Sequence, residues 1–228
     1  MESLVELNMA NNRLSGRLPD NTFVHLDRIM ELKLDQNRDL SGDIHEDFQH
    51  MVQLRVLSIF STDLAGQLFD FSGMTQLETL DAGGCEFSGG IPSSIGQTAL
   101  VHLDLHSSNL EGPLPASMAG LTTLRTVRLG NNRLSGPLPA GLFENCASLL
   151  EIDLSHNRLE GSVTEMLSAV VTNSALQFAI LNLEGNSFEG ELPANVSRCH
   201  SIMLDDDIIA VHGGHNNPCL FCARCEKL

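Results

Sequence analysis

The sequence predicts an α/β solenoid: a right-handed horseshoe or superhelix with one parallel β-sheet on its concave face and a mostly irregular, 3-10 or short helical convex side. Three observations lead there. Leucine supplies 37 of the 228 residues, and 19 are glycine. The string Leu4–Pro19 reads L-x-x-L-x-L-x-x-N-x-L-S-G-x-L-P, and it returns at Leu124–Pro139 almost unchanged. Partial copies fill the space between and beyond at a nearly constant interval, the mark of stacked repeats.

Each column of the repeat has a physical reading. The central apolar residues are Leu7, Leu32, Leu57, Leu80, Leu103, Val127, Ile152, Leu181 and Ile202. Their spacing averages about 24 residues, within the known span of short solenoid repeats. Leu7 and Met9 lie two apart, so in a strand they share one face while Asn8 takes the other. One short parallel strand per copy follows. Leu14 and Leu18 then carry the chain back over the same core. No single copy can bury this surface alone, so neighbours must stack.

The next column is Asn12, Asn37, Thr62, Cys85, Ser108, Asn132, Asn157, Asn186 and Asp207. Here the chain leaves the strand, and its backbone groups need partners that donate and accept. Gly16, Gly42, Gly66, Gly89, Gly112, Gly136, Gly161 and Gly190 form an unbroken column, which predicts a turn at positive φ or a close backbone approach. Prolines follow at Pro19, Pro92, Pro115, Pro139 and Pro193. The eighth copy has a longer connection, Thr164 to Ile180, in which Met166, Leu167, Val170 and Val171 are spaced as on a short helix. The ninth copy is degenerate. The array is therefore read as 1–209, with a Cys-rich C-terminal cap or tail over 210–228.

Composition narrows function. Lys plus Arg is 13 against 29 for Asp plus Glu, a formal charge of −16. That balance disfavours nucleic acid and anionic membrane surfaces. Trp and Tyr are absent, so the expected core is aliphatic. No run of 18 apolar residues occurs, and Met1–Asp20 lacks the pattern of a secretory signal. No nucleotide-binding, zinc-protease or serine-hydrolase motif is found. The expectation is a non-enzyme with no cofactor and no metal.

The repeated L-S-G-x-L-P string strongly resembles the leucine-rich-repeat family, in its roughly 24-residue plant-type subclass. That subclass is familiar from plant receptor-like kinases, receptor-like proteins and polygalacturonase-inhibiting proteins. Similar repeats occur in leucine-rich surface antigens of kinetoplastid parasites. The resemblance spans about residues 4–209 and implies the fold. For function it implies only recognition of varied partners.

The first copy starts at Leu4 with no cap, which leaves an apolar end and an open strand edge. The expectation is a fragment of a longer extracellular or cell-surface protein, or an intracellular protein with a covered edge if Met1 is the native start. Cys85 and Cys146 read as buried free thiols. Cys199, Cys219, Cys222 and Cys225 are expected to form two disulfides; a zinc site including His212 or His215, or free thiols, are the alternatives. Asn195-Val196-Ser197 is a glycosylation sequon.

Function is expected on the strand residues that point out from the sheet, a wall spanning roughly 40 Å at about 4.8 Å per strand. Phe60 is a lone aromatic there. Asp81, Asp104, Arg128 and Asp153 are lateral neighbours, with Arg128 placed to pair with the carboxylates on either side. His102, Asp104 and His106 alternate on one strand, and His156 lies two repeats on. Their spacing of about 6.6 Å along a strand is too wide for one metal ion. The leading expectation is a recognition module that binds a protein or peptide of basic character through Phe60, Asp81, His102, Asp104, His106, Arg128 and Asp153. The alternative is a structural or scaffold element without a dedicated ligand.

Overall fold

The computed structural model describes residues 3–19, 21–44, 46–165, 180–191 and 202–203. Nine short strands form one parallel sheet: β1 (Glu6–Asn8), β3 (Glu31–Lys33), β5 (Val56–Ser58), β7 (Thr79–Asp81), β9 (His102–Asp104), β11 (Thr126–Arg128), β13 (Glu151–Asp153), β15 (Ile180–Asn182) and β17 (Ile202–Met203). Each strand neighbours the next in chain order. Leu7 lies opposite Leu32, Leu32 opposite Leu57, and so on through Leu181 opposite Ile202. The apolar column read from the sequence is thus the register of the sheet. From Leu32 to Leu181 these side chains are buried, as are Leu34, Ile59, Ala82, Leu105, Leu129, Leu154 and Leu183 two residues on. Stacking makes one continuous core from surfaces that no single turn of the coil could hide.

The asparagine column satisfies the backbone where the strands end. Asn132 donates to the carbonyls of Leu105 and Leu129, while its oxygen accepts from the N–H groups of Ser108 and Leu110. Asn37, Asn157 and Asn186 bridge adjacent turns in the same way. The smaller members keep part of the pattern. Cys85 Sγ donates to the Ile59 carbonyl and Ser108 Oγ to that of Ala82. Asn12, in the first described turn, bonds the carbonyls of Met9 and Ala10 within its own turn.

Six glycines of the column lie within strands and Gly89 and Gly190 stand one residue past a strand end, a placement not foreseen from the sequence. The Leu-Ser-Gly segments form two further four-stranded parallel sheets. One contains β2 (Ser15–Arg17), β4 (Asp39–Asp43), β6 (Asp63–Gln67) and β8 (Glu86–Ser88). The other contains β10 (Glu111–Gly112), β12 (Arg133–Pro137), β14 (Arg158–Ser162) and β16 (Ser187–Glu189). The expected positive φ is present, 109° at Gly42, where an added Cβ would stand 2.7 Å from Arg17 Cγ.

On the convex side, 3-10 turns run over Glu46–His50, Ser93–Gln97 and Ala116–Gly120. Pro92 and Pro115 precede the last two at φ −68° and −69°, the angle their rings impose. The expected all-aliphatic core needs correction. Phe23, Phe48, Phe69, Phe71, Phe87, Phe143 and Phe188 are all buried. Phe23, Phe48, Phe69 and Phe71 form a chain of ring contacts, with centroids 4.7–5.5 Å apart. Cys85 and Cys146 are buried free thiols, and burial pushes the Cys146 pKa up to about 11. A helical turn covers 163–165. The helical positions Met166, Leu167, Val170 and Val171 lie outside the described residues, as does the tail over 210–228.

Replacing Asn132 by Leu strands two N–H groups and two carbonyls, and is expected to cost about 3 kcal/mol or more. Asn12→Leu, at an exposed position with bonds only to its own turn, is expected to cost less than about 1 kcal/mol. Denaturant unfolding of the two variants compares them directly.

Candidate functional site

Strand alternation sends the residues between the buried leucines outward in three rows. The hydrogen-bonded ladder continues past the short strands. Gln36 N–H donates to the Phe60 carbonyl, Ser61 N–H to Gly83 and Gly84 N–H to His106. Asp35, Phe60, Gly83 and His106 are therefore lateral neighbours in one row. Gly83 is decisive in it. A Cβ there would lie 2.4 Å from His106 Nδ1, so the missing side chain is what lets the imidazole lean across this strand. The imidazole meets Phe60 with ring centroids 5.8 Å apart at 38°. Phe60, expected to stand alone, is half-buried against a residue two turns away.

Beside this pair runs a chain of charges. Asp104 Oδ1 bonds His106 Nδ1 at 2.5 Å, and Asp104 Oδ2 accepts from Arg128 at 3.3 Å. Arg128 also donates twice to Glu151, at 2.8 and 2.9 Å. The bonds to Glu151 first, and then those to Asp104, raise the pKa of this guanidinium. The expected pairing of Arg128 with Asp153 needs correction. The two residues are in register, but Asp153 Oδ1 is taken by the backbone N–H and hydroxyl of Ser155 at 3.0 and 2.6 Å. Glu151, which the sequence reading did not single out, takes the bidentate place. His102 bonds the Thr126 hydroxyl at 2.8 Å.

Asp81 is the group left over. It lies opposite Asp104, and its Oδ1 is sealed from solvent with no hydrogen-bond partner. Burial first, and then the charges of Asp104 and Asp35, raise its pKa to about 6, against the opposing pull of the Gly83 N–H and of His106. An unpaired buried oxygen costs roughly 1–3 kcal/mol.

The residues singled out from the sequence are thus brought onto one face, but not as one constellation. Phe60, Asp81, His102, Asp104, His106 and Arg128 cluster across β5 to β11, while Asp153 bonds within its own turn. His156 is outside the group: it occupies a left-handed turn at φ 51°. Among the described residues no trio of His, Cys, Asp or Glu is placed to hold a metal. Cys199, Cys219, Cys222, Cys225 and Asn195 lie outside the described residues.

A family model described as Leucine Rich Repeat matches residues 3–23, 76–98 and 123–145. Those three stretches are leucine-rich repeats. Among solved structures it is similar to a plant peptide hormone receptor, RGFR1, in complex with RGF2. The identity is 28% and the TM-score 0.80, over 92% of this chain and 33% of that one. It is also similar to a TDR receptor, with 25% identity and a TM-score of 0.73 over 89% of this chain and 40% of that one. The Arabidopsis receptor kinase HAESA, in complex with the peptide hormone IDA and the co-receptor SERK1, gives 26% identity and a TM-score of 0.69 over 91% and 38%. The chain therefore spans between a third and two-fifths of the length of these receptors. Among curated sequences none matches significantly. No helix of the described residues is long and apolar enough to cross a membrane.

The raised Asp81 pKa makes a signed prediction. The folded protein holds this proton more tightly than the unfolded chain, so the stability associated with it is present below about pH 4 and lost as pH rises through about 6. Asp81→Asn should therefore raise stability by about 1–2 kcal/mol at pH 7.5, and by nothing measurable near pH 3.5. Urea unfolding at the two pH values measures the difference.

Proposed function

We propose that this leucine-rich-repeat array is a non-catalytic recognition module that binds a protein or peptide of basic character on its concave sheet. The observation that carries the reading is the uncovered, acid-rich wall. Glu31, Asp35, Asp81, Asp104, Glu151 and Asp153 all lie on it, and its cations Lys33 and Arg128 are already paired with its own carboxylates. Such a field attracts positive charge and accelerates encounter with a basic partner. The similarity to plant receptors, two of them solved with a peptide hormone, supports a peptide or protein ligand. It also supports an extracellular setting, as part of a longer receptor-like chain.

Peptides selected by the whole chain from a random displayed library provide the probe. Phe60→Ala is expected to weaken them about tenfold, since a buried aromatic anchor carries much of an interface. Arg128→Glu, which leaves Asp104 and Glu151 repelling an added carboxylate, is expected to change affinity several-fold. Raising salt should weaken binding throughout. Unchanged affinity in both variants removes this face as the site, and salt-independent binding removes the electrostatic part of the reading.

A further inference from the structure

We propose that a pocket on the flank of the coil, between Pro137–Leu142 of the sixth turn and Glu160–Glu165 of the seventh, seats the side chain of one lysine of a partner protein. The inference goes beyond the concave-face reading, since none of these residues lies on that wall.

An irregularity in the repeat makes the pocket. In the two preceding turns a proline leads into a 3-10 helix, Ser93–Gln97 and Ala116–Gly120. The segment from Pro139 to Leu149 is one residue longer than Pro115–Leu124 and two longer than Pro92–Leu100. Turns with left-handed residues take up the extra length, Gly141 at φ 72° and Phe143 at φ 66°. Leu142 and Phe143 are turned into the core, and Leu138 is left without full cover. The equivalent residues Leu18, Ile44, Leu68, Ile91, Leu114 and Val163 are all buried, whereas Leu138 is half-buried. Beside it is a pocket of about 290 Å³, whose lining includes Pro137, Leu138, Pro139 and Leu142. Its size is at the small end of the range for ligand sites and suits a single side chain.

Charge selects what fills it. Glu160 and Glu165 line the wall facing the apolar side. Glu144 stands at the rim, because a Cβ on Gly141 would meet its Oε2 at 3.3 Å. Among the described residues these three carboxylates accept no hydrogen bond and form no ion pair. The lining holds no Lys, Arg or His, and Arg158, on the same strand as Glu160, makes no ion pair with it. An apolar side calls for a hydrocarbon stem. Carboxylates carried by separate elements call for a cation that reaches each of them from one point. A lysine side chain supplies both, as four methylenes and a compact ammonium with three donors. A guanidinium, planar and forked, is matched to a single carboxylate instead. The stem takes the open part of Leu138 out of water, and the ammonium offsets the mutual repulsion of the acids.

The test uses the isotope-labelled full chain with N-acetyl-lysine methylamide as the probe, followed by backbone amide chemical shifts. Saturable shifts should centre on Leu138, Gly141, Gly161 and Ser162, with a dissociation constant on the order of millimolar. The norleucine analogue has the stem without the charge, and methylammonium has the charge without the stem. Each should bind at least about fivefold more weakly than the lysine probe, and the arginine analogue about threefold more weakly. The double variant Glu160→Gln, Glu165→Gln, with both changes at exposed positions, should weaken the lysine probe about fivefold. Circular dichroism confirms that the variant is folded. Absence of saturable shifts at these amides overturns the pocket, and so does a lysine affinity that the double variant leaves unmoved. Equal binding of methylammonium overturns it as well, since an acidic chain attracts any cation. Shifts that fall instead on β7 to β11 overturn the pocket and leave the concave-face reading standing.

Discussion

A polar side chain at the foot of each strand from β1 to β15, most often the amide of asparagine, is the constraint on which the solenoid depends. Every turn must end its strand and change direction inside the molecule, where water cannot reach the released N–H and C=O groups. Asn37, Asn132, Asn157 and Asn186 meet that need by donating to one turn and the next while accepting from backbone N–H groups. The bonds run between turns as well as within them, so they also hold the stacking distance. Where Thr62, Cys85 and Ser108 replace asparagine, one polar atom stands where the amide has two, and donation to a carbonyl remains. The middle of the coil thus relies more heavily on apolar packing.

That interior arrangement frees the opposite face. Because the leucines and the asparagine ladder satisfy the core, the outward residues of the strands carry no packing duty and can hold groups that would destabilise a core. Asp81 is such a group. A carboxyl with a sealed, unpaired oxygen beside two further acids is tolerated because the surrounding stack over-determines the backbone that presents it. Stability is supplied by one side of each strand, and chemistry is displayed on the other.

The repeat made much of this legible before any coordinates. The central apolar column is the register of the nine-stranded sheet, and the polar column is the ladder. The readings that needed correction share a physical origin. Glycine weakens ordinary strands, so Leu-Ser-Gly reads as a turn, yet parallel stacking turns it into two additional sheets at positive φ. The scarcity of aromatic residues suggested an aliphatic core, yet most of the phenylalanines present are concentrated inside it. On the wall, spacing identifies neighbours but not rotamers. Arg128 and Asp153 are opposite each other, and only side-chain geometry shows that Ser155 has claimed the acid and that Glu151 receives the guanidinium. The Phe60–His106 contact depends on Gly83, a residue whose importance lies in what it lacks.

The spacing of the wall has a consequence for anything that lies across it. Adjacent strands repeat about every 4.8 Å, whereas same-side residues of an extended peptide repeat about every 6.6 Å. The two periods act as a vernier: they drift apart and coincide again only after roughly 20 Å, or four strands. A linear chain crossing nine strands can therefore interlock at two or three stations and must glide over the stretches between them. Selectivity in such a groove is punctuated, set by a few widely separated footholds rather than by continuous complementarity.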